Sequence, residues 1–287
     1  MMLRNALAPV ALVGLGLLRS FMPPPPGAFR ILIFHDVPKT SETAFSDLMD
    51  RIARSDGFVT PADAASRLKG DAPISDRRVP CLISFDDGFA SNRHVTEAIL
   101  ARHGVKALFF VCPGLIDLPP DRRPNAVAGG IFRGRVAPES RDATTPLMGW
   151  DDLRALAAAG HEIGAHSMTH RRLVGLDPVQ LREEVDGSCR RLTDALGKPP
   201  DWFAWPFGDI GSVDVDALSA IAQRVPLCRS GVRGVNRPGQ NRLAIFADHI
   251  DLTAPVPWQA LTIAGGLDSR YRRARARLAE LAAQAGP

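Results

Sequence analysis

The chain has 287 residues, which at about 150 residues per domain allows either two domains or one large α/β barrel. With 45% hydrophobic and 23% charged residues, the composition excludes disordered, collagen-like and disulfide-scaffold proteins. The 35 basic and 31 acidic side chains leave a net charge of +4, which is too small a surplus to indicate nucleic-acid readout. The four cysteines are widely spaced and match no CxxC motif, so we expect buried free thiols.

The N-terminal segment, residues 1–26, combines an apolar stretch with a run of prolines. Arg4 precedes the apolar residues 6–18, which are too few to span a bilayer comfortably and lack a clear small-x-small cleavage site. Two interpretations stay open: an uncleaved signal or membrane-surface anchor, or an amphipathic helix packed against the domain. The prolines at 23–26 separate this segment from a single domain at residues 27–287. The compartment, cell envelope or cytoplasm, also stays open.

Beyond the prolines, short apolar runs alternate with segments of helical periodicity, which predicts parallel strands joined by helices. The runs RILIF at 30–34, CLISF at 81–85 and ALFFV at 107–111 are almost continuously apolar, as is typical of strands covered on both faces. A helix between the second and third runs, ended by Gly104, completes a βαβ unit.

The same alternation continues downstream. A helix over 151–160 leads into a short strand at 162–165, and a longer helix is predicted over 177–197 with capping residues at both ends. The stretch 113–147, rich in Pro, Gly and Arg, is predicted to be a long irregular loop. An arginine-rich helix at 269–283 is expected to close the fold with a solvated basic face.

Two adjacent carboxylates, Asp86 and Asp87, directly follow the CLISF strand. In a parallel α/β architecture the C-terminal ends of the strands form the active face. Adjacent side chains diverge, so one carboxylate can bind a cation while the other acts as a base, and Gly88 permits a sharp turn. In isolation the segment would more often be a solvated Asp-Asp-Gly turn.

Two histidines four residues apart, His166 and His170, follow the strand at 162–165. At this spacing on a helical turn both imidazoles would lie on one face, within reach of one metal ion. With Asp87 they form a set of two imidazoles and one carboxylate, which leaves a coordination position for water. The same set binds ferrous iron in oxygenases, but the free carboxylate of Asp86 favours hydrolysis, because a water nucleophile needs a base.

Two further segments end near the same face. The turn WPFG at 205–208 either aims a backbone N–H into the site or is a structural aromatic turn. His35 ends the RILIF strand and adds a titratable imidazole, although such a residue alone is more often a satisfied core histidine.

In this order, FDDG at 85–88, HSMTH at 166–170 and WPFG at 205–208 resemble the motifs of the NodB-homology polysaccharide deacetylases, carbohydrate esterase family 4. The resemblance covers roughly residues 30–252. It implies an α/β fold, a distorted TIM-like (β/α) barrel of commonly seven parallel strands. It also implies a metal-dependent hydrolase that removes N-acetyl groups from N-acetylglucosamine units of a poly- or oligosaccharide.

Carried over by position, the resemblance implies that Asp87, His166 and His170 hold a divalent metal, zinc or else cobalt or nickel. Asp86 would be the general base. A metal polarises the acetamide carbonyl and lowers the pKa of water, so that a carboxylate near its usual pKa can take the proton.

The resemblance also assigns roles to the third motif. The backbone N–H of Phe207 would share the oxyanion with the metal. Apart from the resemblance, Trp205, Pro206 and Phe207 are predicted to bind substrate, because the two aromatic rings could supply a face for a sugar, although packing is an equal alternative. The family often has an arginine two residues before this proline, where this chain has Ala204, so electrostatic support for Asp86 must come from elsewhere or be weaker.

Release of the amine requires an acid, and two histidines compete for this role. In many family members the acid lies late in the chain, where His249 is the candidate. In a subgroup that resembles deacetylases of poly-N-acetylglucosamine, the strand order is permuted and the acid lies early. His35 in IFHDV resembles that early motif and is favoured over His249.

The alternative function is a catalytically inactive glycan-binding protein of the same fold, suggested by Ala204 and by a loose match near the C-terminus. The presence of every position that the mechanism needs favours the enzyme. The expected partner is an acetylated amino-sugar glycan rather than a nucleic acid, with membrane-surface association through residues 1–26 as a further expectation. The sequence indicates neither which glycan nor the oligomeric state.

Overall fold

The structure is a computed structural model that describes residues 24–70, 78–137 and 146–286, together with residues 8, 9, 11, 12 and 14. The strands are β1 Arg30–Phe34, β2 Cys81–Phe85, β3 Leu108–Val111, β4 Glu162–Ala165, β5 Trp202–Ala204, β6 Leu227–Arg229 and β7 Asp248–His249. They form one curled sheet of parallel neighbours in the order β6-β5-β4-β3-β2-β1-β7. This confirms the predicted α/β fold, a distorted barrel of seven parallel strands.

Helices in the described ranges connect and cover these strands. They are α1 Glu42–Arg54, α2 Pro61–Lys69, α3 Ala90–Ala98, α4 Pro113–Ile116, α5 Arg123–Ala126, α6 Trp150–Ala158, α7 Pro178–Leu181, α8 Ser188–Leu196, α9 Val215–Ala222, α10 Val256–Ile263 and α11 Arg272–Gln284. The arginine-rich helix expected at the C-terminus is α11, which buries Leu278 and Leu281.

The long helix predicted over 177–197 is confirmed, with one interruption. Asp177 Oδ1 accepts hydrogen bonds from two backbone amides of the first turn, and Gly197 ends the helix at φ +77°. Between α7 and α8 lies a π-helical turn, Arg182–Gly187, which buries the side chain of Glu184. Such turns often mark functional sites, and this one directs a carboxylate toward the active face.

The stretch 113–147 is less irregular than predicted. It contains α4 and α5, and α5 continues into a π-helical turn at Val127–Ile131. Pro113 and Pro124 each occupy the first or second position of a helix, where a missing N–H costs no hydrogen bond, so proline begins these helices rather than breaking them. Residues 138–145 lie outside the described residues.

The strands bury side chains on both faces, as their continuous apolar runs predicted. On one face, Phe34 and Phe85 belong to the large cluster that packs against the surrounding helices. On the other, Ile31 and Leu82 belong to a second cluster inside the curled sheet. Because alternate residues of a strand point to opposite faces, one run of five residues supplies both clusters.

A buried ion-pair network lies at the opposite end of β1 from the active face. The guanidinium of Arg30 donates to Asp248 Oδ2 at 2.7 Å and to Asp268 Oδ2 at 2.6 Å. Arg30 and Asp248 are both buried. Next to this ion pair, β1 pairs in parallel with β7, with Leu32 opposite Asp248. The network therefore ties the first strand to the last strand and to the chain that follows it.

The cysteine prediction is confirmed, because all four are free and buried. Most of residues 1–26 lies outside the described residues, so both interpretations of that segment stay predictions. Within the described ranges, no helix combines the length and apolar character needed to cross a membrane.

Candidate active site

A cavity of about 460 Å³ opens at the C-terminal ends of the strands. Seven of the site residues expected from the sequence, together with one that was not expected, line it: His35, Asp86, Asp87, His166, His170, Phe207, His249 and Arg229. These residues come from six different strand ends, so the folding of the parallel sheet is what brings them together.

The three expected metal ligands converge on one point. Donor atoms of Asp87, His166 and His170 all lie within 4.8 Å of one another, and the three side chains are buried. Asp87 Oδ1 lies 3.5 Å from His166 Nε2 and 3.2 Å from His170 Nε2. This buried oxygen has no hydrogen-bond partner, so the surrounding protein leaves it available to a cation.

The other nitrogen of each imidazole explains how the ligands are oriented. His166 Nδ1 lies 2.7 Å from the carbonyl oxygen of Ala204, and His170 Nδ1 lies 3.3 Å from that of Gly130. A carbonyl only accepts, so each Nδ1 carries the proton and each Nε2 turns a lone pair toward Asp87. Two lone pairs and one carboxylate oxygen then face each other, and this donor set fits a divalent metal ion.

The loop that carries the two histidines differs from the predicted helical turn. Ser167 and His170 have φ values of +61° and +63°, and the segment 166–170 is not helical. The buried carboxylate of Glu184 accepts hydrogen bonds from both the amide and the hydroxyl of Thr169, and Ser167 Oγ accepts one from the amide of His170. These bonds hold a tight loop in place of a helix, yet both imidazoles still reach one point.

Asp86, the expected base, is paired with an arginine that the sequence analysis did not single out. Arg229 ends β6, and its Nη2 donates to Asp86 Oδ1 at 2.5 Å, with the two residues only 1% and 5% exposed. Desolvation acts to raise the pKa of Asp86, but the charges of Arg229 and His166 oppose it and hold this pKa below its usual value. Asp86 is therefore ionised at neutral pH.

The aromatic turn after β5 places only one of its rings at the cavity. Trp205 is 1% exposed and lies in the core, where its Nε1 donates to the carbonyl of Asp209. Pro206 is also buried, and neither residue lines the cavity, which corrects the prediction that they contact a sugar. Phe207 does line it, at φ +67°, with its ring centroid 4.7 Å from that of His170.

A family model described as polysaccharide deacetylase matches residues 75–224. The chain belongs to the polysaccharide deacetylase family. Its members are deacetylase hydrolases, so the class of protein predicted from the motifs is confirmed.

The chain is also similar to individual proteins. The structure of IcaB from Ammonifex degensii is 25% identical, with a TM-score of 0.59 over 83% of this chain and 97% of that one. The deacetylase domain of BpsB from Bordetella bronchiseptica, 21% identical, has the same fold, with a TM-score of 0.62 over 80% and 98% of the two chains. A gellan lyase from a Bacillus species is 29% identical over 160 residues, which are 54% of this chain and 5% of that protein. The chain spans between 5% and 44% of the length of the curated relatives it matches.

The structure accounts for the departure of this chain from the family's third motif. Where the motif often has an arginine, Ala204 contributes its backbone carbonyl to His166 instead. The positive charge beside Asp86 comes from Arg229, on the neighbouring strand β6. Electrostatic support for the expected base is therefore present, supplied from a different strand.

Both histidines considered as the family's general acid lie in the cavity. The ring centroids of His35 and His249 are 5.3 Å apart. His249 keeps a solvent-exposed edge, but desolvation by its surroundings, followed by the charges of His35 and Arg233, lowers its pKa to about 4. The free protein therefore holds His249 neutral at pH 7, and a neutral imidazole is a poor proton donor to a departing amine.

Proposed function

We propose that this chain is a metal-dependent hydrolase that removes N-acetyl groups from N-acetylglucosamine units of a poly- or oligosaccharide. The observation that carries the proposal is the convergence of Asp87 Oδ1 and two imidazole Nε2 atoms beside a second, ionised carboxylate, Asp86. Asp87, His166 and His170 would hold a divalent ion, zinc before cobalt or nickel, which would supply Lewis-acid polarisation of the acetamide carbonyl and a lowered pKa of water.

Asp86 is the base in this proposal. Its Oδ1 accepts from Arg229, which leaves Oδ2 to take the proton as water attacks the acetamide carbon. Because Arg229 is buried and fixed by this bond, the carboxylate is held in one orientation before the substrate arrives. A preoriented base contributes to the transition state without rearranging during the reaction.

The carbonyl oxygen becomes negatively charged as the C–O bond forms. Within the described residues, no acceptor takes the backbone N–H of Phe207, which lies at the cavity in a left-handed conformation. A free amide at this place is suited to donate to the developing oxyanion. This retains the role that the resemblance gave to Phe207.

The C–N bond then breaks, and the nitrogen must gain a proton to leave as a free amine. We assign the donor as His35 rather than His249, because the pKa of His249, lowered to about 4, leaves it unprotonated at neutral pH. The products are acetate and a glycan with a free amino group. Charge and atoms balance, since the proton taken by Asp86 is matched by the one delivered to nitrogen.

The test measures bound metal by elemental analysis and acetate release from an N-acetylglucosamine oligomer, in the wild type and in His166→Ala/His170→Ala. We expect about one ion per chain in the wild type and loss of both metal and activity in the double variant. Asp86→Asn should keep the metal and lose acetate release by orders of magnitude, as removal of a transition-state base does.

Two results would contradict the proposal. Turnover that is unchanged in Asp86→Asn would remove the base from the mechanism. If the wild type stays metal-free after soaking with zinc, cobalt and nickel, the hydrolase loses its electrophile, and the inactive glycan-binding protein becomes the better interpretation. Arg229 weakens that alternative, because the absence of an arginine at Ala204 was one of its two grounds.

A further inference from the structure

A second cavity, of about 440 Å³, adjoins the first and plays no part in the mechanism above. It is lined by Gly129, Gly130, Arg133, Thr169, His170, Arg171, Arg172 and Phe207. Since His170 and Phe207 also line the first cavity, the two cavities are neighbours, and a chain-like ligand seated at the metal triad would lie next to the second one. We call this second cavity the basic groove.

The charges of the basic groove are all of one sign. It contains three arginines, Arg133, Arg171 and Arg172, and no carboxylate among its lining residues. Asp209, outside the groove, pairs with Arg172 at 3.3 Å. Across the described part of the chain, Arg133 and Arg171 have no ion-pair partner, and both are exposed. At least two full positive charges are therefore available to a ligand.

The ring of Phe207 contacts two of these arginines and one of the candidate metal ligands. The guanidinium carbons of Arg133 and Arg172 lie 4.9 Å and 4.6 Å from the centre of its ring, and the ring contacts His170 edge-on. A guanidinium that stacks on a ring uses its face for that contact and keeps its N–H groups for hydrogen bonds in its own plane. The groove thus presents arginine forks beside a metal ligand, a geometry that matches a carboxylate or a phosphate.

The first cavity lacks this surplus of unpaired arginines. Asp36, Asp86 and Asp87 line it, and the single arginine among its lining residues, Arg229, is paired with Asp86. The arginines that are free to bind an anionic group of the substrate therefore lie in the basic groove and not beside the reacting sugar.

We propose that the basic groove binds an anionic group of the glycan substrate, a carboxylate or a phosphate carried next to the N-acetylglucosamine that is deacetylated. This rests on the proposed function, because it takes the reacting sugar to be seated at the metal triad. It narrows the substrate class from acetylated glycans in general to anionic ones, and it makes Arg133 and Arg171 residues that determine specificity.

Binding is measured by titration calorimetry in an Asp86→Asn background, where no turnover disturbs the measurement. The three probes are oligomers of equal length: neutral N-acetylglucosamine, N-acetylglucosamine alternating with glucuronate, and N-acetylglucosamine joined through phosphodiesters. We expect at least one anionic oligomer to bind about tenfold more tightly than the neutral one, with an advantage that falls as salt is raised. Whichever anion shows the effect identifies the source of the charge.

The groove itself is tested with Arg133→Gln/Arg171→Gln, and the matched control is Arg273→Gln, an exposed arginine of α11 outside both cavities. The double substitution should weaken binding of the anionic oligomer by about tenfold and change binding of the neutral one by less than about twofold. Arg273→Gln should change neither.

Three outcomes would overturn the proposal: no preference for either anionic oligomer, an equal loss of affinity for neutral and anionic oligomers, or the same loss in the α11 control. The proposed function is tested separately, by acetate release from each of the three oligomers with wild-type protein. Absence of acetate release from all three would count against the hydrolase, while the binding data alone decide whether the groove recognises an anion.

Discussion

Removing Arg229 perturbs the candidate base without touching the metal triad. Arg229→Met keeps an apolar side chain of similar length against Phe110, over which the guanidinium now lies at 4.6 Å, but it leaves the Asp86 carboxylate without its partner. Because both members of the pair are buried, we expect the loss of one to lower the free energy of unfolding by about 3–5 kcal/mol.

The same substitution should change the pH dependence of activity. Desolvation acts to raise the pKa of Asp86, and Arg229 contributes the largest effect in the opposite direction. Without Arg229 this pKa rises, and since the base acts only when deprotonated, the acid limb of the kcat/KM profile moves to higher pH. Arg229→Lys keeps the charge, so its acid limb should stay closer to that of the wild type.

A double-mutant cycle with Asp86→Asn separates this pairing from general damage. Chemical denaturation of the wild type, both single variants and the double variant gives the coupling free energy, which should reach about 2 kcal/mol for groups in direct contact. Acetate release across a range of pH gives the position of the acid limb. Additive losses of stability, or an acid limb that Arg229→Met leaves in place, would refute the reasoning.

Three further experiments test other parts of the structure. Glu184→Gln removes one hydrogen bond that shapes the ligand loop, so zinc affinity, measured by chelator competition, should fall about tenfold or more, and an unchanged affinity would contradict this. His35→Ala should lower kcat more than His249→Ala, because the pKa of His249 is already about 4, and equal losses would leave the acid unassigned. In Gly164→Ala the new methyl group would lie 2.7 Å from a ring carbon of Phe110 and 2.9 Å from the backbone carbonyl oxygen of Trp202, so denaturant unfolding should show a loss of about 1–3 kcal/mol, and wild-type stability would contradict this.

Strong local patterns made much of the fold predictable. The runs at 30–34 and 81–85 are β1 and β2 in full, because buried parallel strands need continuous apolar sequence. The two strands that complete the sheet edges, β6 and β7, have three and two residues. Segments this short contain too few residues to show a period of two, so only their neighbours in the folded sheet define them.

Some residues of the candidate site could be predicted from the sequence and others could not. Asp86 and Asp87 could be assigned to the site because they directly follow a strand that is itself predictable. Arg229 could not be assigned to the site, because its partner Asp86 lies 143 residues earlier in the chain. The one signal in the sequence was a charged residue directly after two apolar ones, in the segment LCR. Glu184 was hidden too, because it lies in a regular helical pattern and only the π turn directs it to the ligand loop.

The sheet order has a consequence for synthesis of the protein. β1 is the first strand to be made, yet it is an inner strand, and its pairing with β7 joins residues more than 200 positions apart. Until β7 emerges from the ribosome, one edge of β1 has unpaired amide and carbonyl groups and Arg30 lacks Asp248, 218 residues away. Closure over such a separation is slow, so we expect this edge of β1 to stay unpaired until late in translation and to be open to pairing with other chains.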